Sequence, residues 1–115
     1  MDESLLQAYE RGQLFFEAAD YVTAAQVLAD VVDADPDKVG PRLLLARAYY
    51  HSAQLGRAES TLREVVERAP TEAYAHLMLG RTLQRQGRRE EARPFLRLAA
   101  AMSGDPDYEL MALLA

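Results

Sequence analysis

Three aspartates at alternating positions, Asp33, Asp35 and Asp37, are the first residues here whose type and spacing could do chemistry. Carboxylates at every second position are how a calcium-binding loop presents its oxygens. The rest of such a loop does not follow. Lys38 stands where the sharp turn needs glycine, and Leu44 where the closing bidentate carboxylate belongs. The cluster reads as a polar turn. His51 and His76 are the only histidines, 25 residues apart, with no local metal-ligand spacing. With no cysteine in the chain, thiolate catalysis, cysteine metal sites and disulfides are excluded. The sequence has neither a glycine-rich phosphate loop nor a nucleophile elbow, and carboxylate pairs such as Glu90-Glu91 suit solvated helix surfaces. The expectation is a protein that is not an enzyme and uses no metal or cofactor.

What remains is a population of arginines and aromatics, the side chains that most often dominate binding energy. The overall charge limits what they could bind. Lys and Arg number 13 against 18 Asp and Glu, a formal charge of −5, which disfavours broad binding to nucleic acid or an anionic membrane. No apolar run approaches the roughly 20 residues of a transmembrane helix. The opening Met1-Asp2-Glu3-Ser4 is acidic where a secretory signal would be basic, so a cytoplasmic location is expected.

The elements that position these residues are set by a repeat. Going 34 residues back from Ala58, Leu62, Val65 and Pro70 gives Ala24, Leu28, Val31 and Pro36. Going 34 forward gives Ala92, Leu96, Ala99 and Gly104. Apolar residues at i, i+4 and i+7 followed by proline or glycine form one helical face with a stop signal. Three such copies in register predict paired helices stacked in an array.

Taken in order, Ser4 and Gln7 form a capping-box pair that predicts a helix from near Leu5, with Ala8, Arg11, Gly12 and Phe15 inward. Asp20 is the expected cap of a second helix, which Pro36 ends. Pro41 suits the first turn of a third, with Arg42, Leu45, Ala46 and Tyr49 inward. A fourth carries Ala58, Leu62 and Val65. Thr71 is the expected cap of a fifth, with His76, Leu79, Gly80 and Leu83 inward, and Gly87 its left-handed end. Pro94 predicts either a late start near Arg93 or a kink there in the sixth, and the kept register of Ala92 favours a kink or a distorted first turn. Asp105-Pro106 opens a seventh.

This pattern resembles the tetratricopeptide repeat (TPR) family, through Gly12, Phe15, Ala24, Leu28 and Pro36, then Leu45, Ala46, Tyr49, Ala58, Leu62 and Pro70, then Leu79, Gly80, Leu83, Ala92 and Leu96. The departures are Ala8, Arg42 and His76 where tryptophan is frequent, Arg11 where leucine is preferred, and Gly104 for the last proline. The spacing of 34 and the acidic balance argue against the RNA-reading helical repeats of similar length. The resemblance implies an all-α solenoid, a right-handed superhelix of three helical hairpins. The repeats fall at about 5–38, 39–72 and 73–104, with a capping helix at about 106–115, in a single domain over 1–115.

It further implies that the first helices line a concave groove holding a peptide segment or a partner protein. The groove residues would be Tyr9, Gln13, Phe16, Leu44, Arg47, Tyr50, His51, Tyr74, Met78, Arg81 and Arg85, with Leu6, Glu17 and Leu43 beside them. Family members that grip the Hsp70 or Hsp90 carboxylate use charged donors at positions held here by Tyr9, Gln13, Leu44, Tyr74 and Met78. No such clamp is expected. The arginines favour a partly apolar partner with acidic residues, and neither nucleic acid nor a membrane. Leu110, Met111, Leu113 and Leu114 are too many apolar groups for one face of a short helix. They leave open an alternative, a self-associating assembly subunit.

Overall fold

A computed structural model describes residues 1–114, and these form seven α-helices: α1 (Glu3–Glu17), α2 (Tyr21–Ala34), α3 (Val39–His51), α4 (Leu55–Arg68), α5 (Ala73–Arg85), α6 (Arg89–Ser103) and α7 (Pro106–Leu113). They fall into two compact units that divide within α4, one over Met1–Thr61 and one from Leu62 onward.

Helix starts follow the local polar chemistry, with two corrections. Asp2, not Ser4, caps α1: its Oδ1 accepts from the Leu5 amide at 2.7 Å, so the helix begins at Glu3. A carboxylate facing the unpaired amides of a first turn gains from the helix dipole as well as from the hydrogen bond, and Asp2 takes that place. Asp20 caps α2 through the Thr23 amide, and Asp105 caps α7 through that of Asp107. Thr71 caps nothing. α5 starts at Ala73 with Glu72 as N-cap, and it is the Glu72 carbonyl that accepts from the amides of Ala75 and His76.

The turns inside the repeats share one geometry. Ala19, Ala53 and Gly87, spaced by the repeat, all have positive φ, at 61°, 60° and 78°. In each turn the left-handed residue donates to a carbonyl three back, and the residue after it donates five back, to Phe15, Tyr49 and Leu83 respectively. That is a Schellman end, which satisfies the last carbonyls of the first helix while reversing the chain. An L-residue with a Cβ pays roughly 1–2 kcal/mol to sit there. Ala53→Gly is therefore expected to stabilise the protein by about 0.5–1 kcal/mol, net of glycine's greater freedom in the unfolded chain. A melting temperature that stays put or falls would contradict this turn geometry.

In the first unit α2 packs on both α1 and α3. Its core is Ala24, Ala25, Leu28, Val32, Leu45 and Ala48, against which Tyr9, Phe15, Phe16, Leu44 and Tyr49 pack. Gly12 stands where α1 crosses α2, because a Cβ there would lie 2.7 Å from Leu28 Cδ2. Arg11, expected inward, is exposed. α1 packs mainly on α2, with a slighter contact to α3, and this packing leaves Arg11 exposed. In the second unit α5 pairs extensively with α6, and α6 with α7. Leu62, Val65, Leu79, Leu83, Leu96 and Ala99 are wholly buried. Gly80 repeats the Gly12 device against Leu96, at 2.6 Å.

Pro94 lies inside α6, which starts at Arg89 rather than near Arg93. The proline is exposed, so water can reach the Glu90 carbonyl it leaves without an amide donor, and Ala92, Leu96 and Ala99 keep their buried register.

Candidate functional site

Burial alone separates the residues expected to line the groove. On α1 and α3, Tyr9, Gln13, Phe16, Leu44 and Arg47 are half-buried and His51 is exposed, whereas Tyr50 is buried. The helical spacing of Gln13, Phe16 and Glu17 sets them beside Leu44 and Arg47 of α3, and the five line a recess of about 320 Å³. The Arg47 guanidinium lies over the Phe16 ring, 4.8 Å from its centroid, which holds the flat cation against an apolar surface. Tyr9 reaches the start of α3, its hydroxyl next to Gly40.

An aromatic cluster closes one end of this face. His51 stacks on Tyr21, with centroids 4.7 Å apart and planes at 25°. Phe16 meets both edge-on, at 5.1 Å from Tyr21 and 5.8 Å from His51, and Tyr50 meets His51 edge-on at 5.4 Å. Edge-to-face and offset contacts of this kind fix rings beyond what area burial supplies. Tyr21 was missed in the sequence because it starts a second helix. Its signal was its place just after the Asp20 cap, where the turn returns the chain to the end of α1.

In the second unit α5 carries Tyr74, half-buried, Met78, buried, and Arg81 and Arg85, both exposed. The Tyr108 hydroxyl on α7 is raised above its usual pKa, first by partial burial and then by the negative field of Tyr74, Asp105 and Glu72. A larger cavity, about 520 Å³, opens between α6 and α7, lined by Arg93, Arg97, Ala100, Glu109, Ala112 and Leu113. The sequence singled out only Leu113 among these. The other residues carry no motif.

The two buried polar side chains at frequent tryptophan positions do structural work. Arg42, 5% exposed, donates from Nη2 to the Pro36 carbonyl at 2.7 Å. His76, 3% exposed, donates from Nε2 to the Pro70 carbonyl at 2.8 Å. Both pairs are related by the repeat of 34. Each side chain ties the start of a hairpin to the turn before it. The three aspartates lie at the end of α2 and in the turn after it, Asp35 being the C-cap. Among the described residues no three His, Asp or Glu side chains gather where one metal ion could be held.

A model of the tetratricopeptide repeat matches twice, over residues 15–78 and 54–114, which together span most of the chain. The chain belongs to the tetratricopeptide repeat family. Its fold is the all-α TPR-like solenoid of helical hairpins with a terminal helix. Among solved structures, the first TPR of Spaghetti (RPAP3) bound to HSP90 peptide SRMEEVD matches with a TM-score of 0.88 and 20% identity, over 97% of this chain and 90% of that one. The Yersinia enterocolitica type III secretion chaperone SycD, in complex with a peptide of the translocator YopD, gives 0.86 and 18%, over 98% and 87%. MamA from Desulfovibrio magneticus RS-1 gives 0.82 and 24% over 87% of this TPR chain, which spans 56% of that MamA. A search of curated protein sequences finds no match. Among the described residues no helix is long and apolar enough to cross a membrane.

Proposed function

We propose that this TPR protein is a non-catalytic interaction module that holds a peptide segment, or an extended part of a partner protein, on the α1/α3 face. One observation carries the reading. Arg47 lies over Phe16, 4.8 Å from the ring centroid, at the wall of a recess otherwise made by Gln13, Glu17 and Leu44. An arginine lying on an aromatic ring beside a leucine sets positive charge next to an apolar shelf. The segment recognised is partly apolar with an acidic residue. Two TPR structures of similar fold hold peptides, and this supports a peptide as the ligand class. The HSP90 peptide is not the ligand proposed here, because the positions expected to grip its carboxylate are Tyr9, Gln13, Leu44, Tyr74 and Met78. On the second unit, taken by itself, Arg81 of α5 is exposed and is proposed as a separate contact for an acidic residue.

A twelve-residue random peptide library displayed on phage and selected on the protein tests this. Selected peptides are expected to combine acidic with apolar residues. Arg47→Ala is expected to weaken them about 10- to 30-fold with helicity unchanged, the ordinary size of an arginine anchor. Arg47→Lys should recover only part, since it keeps the charge but loses the planar fork. Equal binding by the Arg47→Ala variant would refute the site.

A further inference from the structure

The turn from α3 into α4 differs in charge from its counterpart one repeat later. There Arg88 and Glu91 form an ion pair. The same register positions in this turn are Gln54 and Arg57, so a guanidinium stands where the carboxylate would be, against a neutral amide. A chain of hydrogen bonds fixes it. Arg57 donates from Nη1 to Gln54 Oε1 at 3.0 Å, and Gln54 donates from Nε2 to Ser52 Oγ at 2.9 Å. Ser52 Oγ then donates to the Ala48 carbonyl at 2.8 Å, in the last turn of α3. Bonds in such a chain polarise one another, and this one ends at the negative pole of a helix. The guanidinium also lies 6.0 Å from the centroid of the Tyr49 ring. Only one of its five donors is used on Gln54, and the residue is exposed.

Arg57 forms part of the wall of a recess of about 210 Å³ that lies wholly within the first unit. Val22, Ala25 and Ala29 of α2 and Tyr49 of α3 give the recess its apolar lining, with Val22 53% exposed. Among the described residues the lining holds one cation and no carboxylate. The fold does not impose this composition, because one repeat later Val22 and Ala25 are replaced by Gly56 and Glu59. Tyr49 lies two residues from Arg47, about 200° around α3, so this recess and the α1/α3 recess open on different sides of that helix. They share no residue.

We infer that this recess is a second docking surface, and that its occupant is a segment of a partner protein with a carboxylate next to a branched aliphatic side chain. Charge decides the occupant. The carboxylate meets the anchored guanidinium, where no carboxylate of the recess competes for it. The aliphatic neighbour covers Val22 and the Tyr49 ring. This goes beyond the reading of the α1/α3 face and stands if that reading fails.

A twelve-residue random library, displayed multivalently on phage and selected on the whole chain carrying Arg47→Ala, tests it. The α1/α3 recess has lost its guanidinium in that variant, and multivalent display retains weak binders. Selected peptides are expected to carry Asp or Glu beside Val, Leu or Ile. As single synthetic peptides they should bind about tenfold more weakly once Arg57→Ala or Val22→Asp is added, with helicity unchanged because both residues are exposed. Gln54→Leu keeps the charge of Arg57 but removes its anchor, and should cost about threefold. Selected peptides without a carboxylate overturn the inference, as does a selection that enriches none. Binding that Arg57→Ala leaves unchanged also overturns it, the result if another surface is the contact. So does binding that Val22→Asp leaves unchanged, the result if the recess holds an anion alone.

Discussion

Leu96→Ala is expected to cost about 3–4 kcal/mol, within the range for deleting a wholly buried leucine from a packed core. A domain of this size holds only about 5–15 kcal/mol in total, so much of the stability would go. Its neighbour makes the prediction sharper. Gly80→Ala alone should cost about 1–2 kcal/mol, because the new Cβ would lie 2.6 Å from Leu96 Cδ2 and 3.3 Å from the Ala92 carbonyl. The gain in helix propensity offsets part of the strain. In the Leu96→Ala background the same Gly80→Ala change should become neutral or stabilising, since Cβ then enters the space the leucine left. Urea denaturation of the four proteins measures the coupling. Additivity within about 0.5 kcal/mol would show that the crossing of α5 and α6 is not as tight as the geometry indicates.

His76→Ala comes next, at about 2–3 kcal/mol. The imidazole is 3% exposed, gives its Nε2 proton to the Pro70 carbonyl, and lies nearly parallel to the Phe95 ring at 6.3 Å. Arg63 covers the same Phe95 ring at 5.6 Å. Removing the imidazole opens a cavity in this stack and costs one hydrogen bond, worth about 1 kcal/mol net. His76→Phe separates the two contributions. It keeps an aromatic ring against Phe95 and loses only the donor, so about 1 kcal/mol is expected. Equal losses for the two variants would mean that the hydrogen bond alone ties α5 to the preceding turn.

Most of the hairpin plan could be read from the residues. A period of 34 with alanine, leucine and valine at fixed offsets imposes two amphipathic helices per unit, and Asp20, Gly87, Gly104 and Asp105-Pro106 mark their ends. These signals are local, since a cap or an αL turn is decided within a few residues. The errors were local too, and came from competition between adjacent groups. Asp2 displaced Ser4 as cap, and Glu72 displaced Thr71. That Ala19 and Ala53 take the conformation of Gly87 could have been inferred by carrying the repeat backwards, but neither residue type announces it.

The candidate sites were legible only in part. Helical spacing brought Gln13, Phe16, Leu44 and Arg47 to one list, and the fold sets them around one recess. The period and the stop signals determined the seven helices and the buried stripes of α2, α4, α5 and α6, because burial of an apolar stripe is the main free energy a short helix can gain. Only tertiary packing decided the rest. It laid Arg47 on Phe16, recruited Tyr21 to His51, and buried Tyr50 and Met78. It also brought Arg93 and Arg97 of α6 to the flank of α7, where the leucines stay exposed. Those outcomes depend on how helices distant in sequence cross, and side chains at a crossing are placed by distances that no spacing along the chain encodes.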